Sequence, residues 1–269
     1  MKIFNYAMLA TLTASLFLTS CFKRDNTDWT FEQDNAISSE LFQDVYKQMD
    51  ETAQTDGGLK SCAIVTMTDT LGNFPNTVTV DFGSGCLGTD GRMRSGVLAA
   101  EFSGPWRDAN TVVTVTTTEY IVNGYKVSGT ITMTNNGTNG AGNINYTVAV
   151  SNGVVADTSG NTIQWNGSTN YEMVVGAATD FASNGISGIT DDVYHITGSA
   201  NGVNRNGSPY TAVITERLVR DLSCKWITDG TIELTPQNGD PRTLNFGDGA
   251  CDANVSFTFK QWTWNFILP

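Results

Sequence analysis

The sequence predicts an all-β fold: one long antiparallel β-meander, an open sheet or a sandwich, with a single amphipathic helix at its N-terminal end. Three observations predict it. From residue 61 onward, runs such as TVVTVTTTEYIV, GTITMT, NINYTVAVS and YTAVITERLV are rich in Val, Ile, Thr and aromatics, the residues that suit a pleated, half-buried surface. Several of these runs alternate. Ile131 and Met133 face one way with threonines opposite, and Tyr146, Val148 and Val150 share a face, the pattern of an antiparallel sheet with one wet side. Between the runs the dipeptide Asn-Gly recurs nine times, starting at Asn123, Asn136, Asn139, Asn152, Asn166, Asn184, Asn201, Asn206 and Asn238. Asn-Gly suits the two-residue type I′ turn, in which both central residues need φ > 0. Strands joined by such turns are sequential hairpins, and about 210 residues can form one all-β domain.

The helix is read from AISSELFQDVYKQMDETA. Ile37, Leu41, Phe42, Val45, Tyr46 and Met49 fall on one helical face, which predicts a helix over 36–53 packed through that face against the sheet. Asp34 or Asn35 is placed to cap it, and TDGGLK ends it. The polar, acidic stretch ahead of it predicts a flexible tether over 21–35, so 36–269 is expected to be a single domain.

The first residues decide the destination. Lys2 precedes a mostly apolar run, Ile3–Leu18, that ends in Leu18-Thr19-Ser20-Cys21. The run is short for a spanning helix, which needs about 20 apolar residues. Small residues before a cut site mark a secretory signal, and a cysteine at the cut position resembles the bacterial lipobox. That resemblance implies a signal peptide over 1–20 and acylation of Cys21 as the mature N-terminus. Several acyl chains on one residue anchor stably where one does not. The net charge of −12 argues against nucleic-acid binding, which calls for a basic face, and against electrostatic docking on anionic lipid.

With Cys21 assigned to lipid, Cys62, Cys86, Cys224 and Cys251 remain. Disulfides persist in exported proteins, and an even remainder suggests two bridges with three open connectivities. A repeated phrase favours one of them. TVDFGSGC at 79–86 and TLNFGDGAC at 243–251 each follow a proline, Pro75 or Pro241, and each ends on a cysteine. The expectation is a pair of hairpins stapled near their open ends, Cys62–Cys86 and Cys224–Cys251.

Candidate chemistry is sparse. The single histidine, His195, lies in DVYHIT between two residues expected to face inward, so no Ser-His-Asp site is assembled around it. There is no G-x-S-x-G and no C-x₂-C, and the acids near the phrases (Asp81, Asp90, Asp248, Asp252) miss the calcium-loop spacing. The four sequons, at Asn136, Asn166, Asn206 and Asn254, are better explained by turn chemistry than by glycosylation. Neither a metal nor a cofactor is expected, and no enzyme activity is predicted. Among six tryptophans, Trp106 in the loop-like SGPWRDAN is the candidate for an exposed ligand contact, whereas Trp262 and Trp264, on one strand face, are expected in the core.

FPNTVTVDFGSGCLGTDGRMRSG, YIVNGYKVSGTITMTNNG, NFGDGACD and DNAISSELFQDVYKQMDE together resemble an uncharacterised family of envelope lipoproteins from the Bacteroidetes group, over nearly the whole mature chain. The resemblance implies an exported, lipid-anchored protein, in the outer membrane on its periplasmic or surface face, and carries over no catalytic residue. The expected function is a structural or binding module whose partners are the membrane, through its anchor, and a glycan or envelope protein. The alternative is a carbohydrate-binding or carbohydrate-active surface lipoprotein.

Overall fold

The structure, a computed structural model, describes residues 29–55, 62–70, 72–179, 184 and 187–268; the leader, Cys21 and the tether up to residue 28 lie outside them. A helix α1 (Thr30–Thr55) is followed by fourteen strands. The first seven are β1 (Ile64–Met67), β2 (Asn76–Asp81), β3 (Cys86–Leu87), β4 (Met93–Phe102), β5 (Val112–Val122), β6 (Tyr125–Thr138) and β7 (Ile144–Ala156). The rest are β8 (Thr162–Val175), β9 (Val193–Val203), β10 (Pro209–Asp221), β11 (Asp229–Pro236), β12 (Arg242–Asp248), β13 (Asn254–Phe259) and β14 (Trp262–Ile267). They form one open antiparallel sheet in the order β1-β2-β4-β5 through to β14, with β3 on the start of β4. The predicted meander is therefore an open sheet and not a sandwich.

The sheet curls around the helix. Glu40 on α1 accepts from Arg92, at the start of β4, at 2.5 Å and from Arg220, near the end of β10, at 3.2 Å. The carbonyl of Lys225 accepts from the same two arginines, at 2.9 Å each. In a flat sheet, β4 and β10 would stand six inter-strand steps apart, roughly 29 Å. Two arginines from such strands can meet on one carboxylate only because the sheet bends round on itself. The bend is built from register shifts, which fall in every pair from β4·β5 to β11·β12. Each inserted residue bends its strand and adds twist, and left-handed positions at Gly96, Gly129, Asn152 and Gly230 absorb the change of direction.

The helix inside this curl is longer and more enclosed than its sequence suggests. It starts at Thr30, so residues 30–35, expected in the tether, are its first turns. From Phe31 to Asp50 every residue is buried except the half-buried Gln33. The apolar face predicted from Ile37 to Met49 is in the core. There Phe42 stacks on Trp165 of β8 at 5.3 Å, and Tyr46 stacks on Tyr171 at 4.5 Å. Each large apolar side chain so buried contributes about 1.5–3 kcal/mol. The polar faces are buried too, because the sheet carries partners to them. Asp34 and Asn35, expected as caps, bind Arg205 and the Trp165 indole from inside the helix. Glu32 binds Arg242. These partners lie 130 to 210 residues downstream, so the local sequence reads as a solvated tether.

The Asn-Gly pairs divide into two roles. Those at Asn123, Asn139, Asn206 and Asn238 lie in connections, and Asn123-Gly124 has the two positive φ values of the expected hairpin turn. Those at Asn136, Asn152, Asn166 and Asn201 lie within strands, and the four strands that carry them run 11–14 residues. Gly153 shows the reason: a Cβ there would collide with the Trp165 carbonyl oxygen and stand 2.8 Å from the Phe42 ring. A small residue is needed where helix and sheet approach most closely. Gly153→Val is accordingly expected to cost about 1–3 kcal/mol by overpacking. The melting temperature should fall by about 2–4 °C per kcal/mol, measured by circular dichroism; an unchanged melt would mean that the helix does not press on β7.

The two repeated phrases do equivalent jobs. Phe82 and Phe246 point into the core, and the following glycine donates its N–H to a side chain two residues back, Gly83 to Asp81 and Gly247 to Asn245, each at 2.8 Å. Each phrase closes the return strand of its hairpin, β1–β2 or β11–β12. The cysteines pair as expected, Cys62 with Cys86 and Cys224 with Cys251, with Cα atoms 5.5 and 5.7 Å apart.

Candidate functional site

Two places concentrate polar chemistry: the interior seam between helix and sheet, and a groove on the outer face. At the seam, Asp44 accepts from Arg92 Nη1 at 3.0 Å, Arg94 Nε at 3.0 Å, Arg94 Nη2 at 2.5 Å and the Tyr120 hydroxyl at 2.9 Å. Arg94 also reaches Asp90 at 2.6 Å. Burial by itself would raise the Asp44 carboxyl, but the charges of Arg94 and Arg92, with their hydrogen bonds, hold it far below the usual carboxylate range. Tyr120, buried beside that anion, is pushed well above its ordinary value. Arg92, Arg94, Arg220, Glu40 and Asp44 are all at most 2% exposed. A substrate has no access to them, so this network holds the helix in the sheet.

On the opposite face of the helix, Tyr46, Tyr146, Tyr171 and Tyr194 pack around one another and Trp106. Trp106, expected as an exposed ligand contact, is buried here. Its indole donates to Asp50 at 2.7 Å and its ring stacks on Tyr146 at 4.9 Å. SGPWRDAN is a loop, as read, but the loop folds over the mouth of the curl and its aromatic plugs it. The signal missed was the acid at position 50, on the helix end that Trp106 meets.

The groove crosses the outer face of β8 to β11 and has a volume of about 430 Å³. The ladder register places Gln164, Val203 and Pro209 in one cross-strand row. Asn166, Asn201, Thr211 and Thr235 form the next. Gln237 closes the end, and Tyr210, which also lines the groove, packs its ring inward on Phe31 at 6.0 Å. The Asn166 side-chain oxygen accepts from the Asn152 N–H; among the described residues, the Gln164, Asn201 and Gln237 amides meet no protein partner. Among the described residues no acid, histidine or cation lines the groove. It offers neutral donors and acceptors beside the apolar edges of Pro209 and Pro236, which is binding chemistry with no general base or nucleophile. Single-sequence reading missed it because its rows come from four strands that meet only through register.

The remaining expectations are placed as follows. His195 lies half-buried on the face opposite Tyr194 and Ile196, which are buried, as its neighbours implied. Of the phrase acids, Asp90 joins the seam and Asp81 is spent on the Gly83 N–H. Among the described residues no group of three or more His, Cys, Asp or Glu converges as a metal site. Trp264 is partly buried against Phe257, but Trp262, expected in the core, is 61% exposed, because β14 is an edge strand of the sheet and none of the described residues packs over that ring. No protein-family model, no curated protein and no solved structure matches the chain.

Proposed function

We propose that the chain is an exported, lipid-anchored envelope protein whose curled β-domain works as a binding module, with the outer groove as its contact surface. The observation that carries this reading is the division of the molecule: the interior is filled by α1, and the groove on the outer face presents the side-chain amides of Gln164, Asn201 and Gln237. A carrier of apolar cargo would need the interior volume that α1 occupies. The lipobox supports the anchor. The two cysteine pairs support an oxidising compartment, as does the resemblance to Bacteroidetes envelope lipoproteins. The anchor is tested by metabolic labelling with [³H]palmitate: the wild type is expected to take the label and Cys21→Ala is not, and equal labelling of the two would end the claim.

The groove favours the carbohydrate-binding reading among binding functions. Uncharged amides and hydroxyls in register suit a neutral polyhydroxylated ligand, and the lack of an ionisable lining disfavours charged ones. Glycan-array binding by the wild type is expected to weaken in the double variant Gln164→Ala/Asn201→Ala. Two lost neutral hydrogen bonds, at about 0.5–1.5 kcal/mol each, amount to roughly five- to 150-fold. Retention of full affinity would remove the groove from consideration.

A further inference from the structure

The last hairpin carries an aromatic surface that the described residues cover only in part. The β13–β14 register sets Val255 opposite Phe266, Phe257 opposite Trp264 and Phe259 opposite Trp262, three apolar pairs on the face that elsewhere meets the helix. The helix begins at Thr30; its first turn meets this end through Arg242, which lies between the Phe31 and Phe259 rings, and Trp29 covers part of it, with its ring 5.3 Å from Trp264 and 5.7 Å from Phe257. Trp262 remains 61% and Trp29 41% exposed. Lys260 stands 4.9 Å and Arg242 5.0 Å from the Phe259 ring, Lys260 paired with Asp240 at 3.6 Å and Arg242 with the buried Glu32, so the corner carries no unpaired acid from these contacts.

Position in the chain identifies the occupant. Trp29 follows Cys21 by eight residues, and eight residues extend to at most roughly 29 Å. If Cys21 is held at a bilayer surface, this corner is confined to the same neighbourhood whatever path the linker takes. A short tether raises the effective concentration of its end to the millimolar range, so even weak partitioning is realised. Tryptophan, with an apolar body and one N–H donor, is enriched where headgroups meet hydrocarbon. We propose that Trp29, Phe259, Trp262 and Trp264 rest in the headgroup region of the bilayer that holds Cys21, and so seat the β-domain in one orientation. The inference rests on the lipid-anchor reading. It gives the anchor a second contact, which makes the domain's orientation a property of the fold.

The test uses the full lipidated protein in phosphatidylethanolamine–phosphatidylglycerol vesicles carrying a nitroxide quencher at the headgroup, with tryptophan emission as the readout. The wild type is expected to be quenched. Trp262→Phe, which keeps an aromatic ring at an exposed position, should remove roughly half of the quenched emission, as expected for an indole at the interface. Trp226→Phe serves as the control. Trp226 follows Lys225, whose carbonyl meets the Arg220 that binds Glu40, eleven helix residues or roughly 16 Å beyond Trp29, so its loss should leave quenching unchanged. Absence of quenching in protein that carries the palmitate label overturns the seat and leaves the anchor standing. Equal quenching in Trp262→Phe also overturns it. So does an emission shift produced by soluble oligosaccharide and not by vesicles, which would make the corner a sugar platform, or a dimer joined through β14. Failure of Cys21 to take the label is read separately and removes both readings.

Discussion

Replacing Asp44 by asparagine is expected to lower the unfolding free energy by about 3–5 kcal/mol, the range for breaking a fully buried ion pair by removing one partner. The reason lies in what remains. Arg92 and Arg94 are at most 2% exposed, and the amide would leave both facing a neutral group where each had an anion. Arg92 retains Glu40 and Arg94 retains Asp90, so the fold should survive with a lower denaturant midpoint. Urea unfolding with the cystines oxidised gives the number, and a change below about 1 kcal/mol, the ceiling for an exposed pair, would show that the seam is not the anchor of the helix. Acid should act in the same direction. The folded-state Asp44 value lies below its unfolded value, so the unfolded chain binds the extra proton. This part of the stability is present above the ordinary carboxylate range and is lost progressively as pH falls from about 5. Asp44→Asn should flatten that acid limb relative to wild type.

The second large effect is expected from Cys224→Ala/Cys251→Ala. Closing a loop of 27 residues is worth about 3–3.5 kcal/mol through the unfolded chain. The location suggests the loss will not be purely entropic. Cys86 pairs across to Arg94 in the β3–β4 ladder, and Cys224 adjoins Lys225, whose carbonyl receives Arg92 and Arg220. The two cystines therefore flank the place where β4 and β10 are brought together without a strand ladder between them. Among the described residues no backbone hydrogen bonds join these two strands, so side chains hold the seam, and each cystine braces the hairpin on its own side of it. Combining the cystine deletion with Asp44→Asn should give a loss that departs from the sum of the two by 0.5 kcal/mol or more, the signature of groups sharing one network. Strict additivity would place the cystines outside the seam. Denaturation under reducing and oxidising conditions provides the independent check on the cystine effect.

Much of the architecture was legible in the residues. Alternation is a local property, so Ile131, Met133, Tyr146, Val148 and Val150 could be assigned inward from their own strands, and all five are buried. The helix face from Ile37 to Met49 was equally local. The repeated phrases were legible because each is a complete short device: an inward phenylalanine, a side chain that takes a glycine N–H, and a cysteine. Long-range electrostatics was not legible. Asp34, Glu40 and Asp44 look like the wet face of an amphipathic helix until Arg205, Arg220, Arg92 and Arg94 are folded over them. Trp106 looked free because its partner, Asp50, lies 56 residues away.

The sequence by itself determined the strand-rich meander, the single apolar helix face and the cysteine pairing favoured by the duplicated phrase, and it supplies the Leu18–Cys21 motif on which the proposed anchor rests. These follow from periodicity, turn chemistry and short motifs, which act over a few residues. Only the tertiary structure decided that the sheet rolls up, that α1 lies inside it with its charged faces matched, that Trp106 is a plug, and that the outer groove and the Trp29–Trp262 corner exist. The physical reason is that curvature is the sum of many small register shifts, none of which has a sequence signature of its own. Once the sheet is rolled, which charges are paired and which aromatics stay in water depends on strands that no local window contains together.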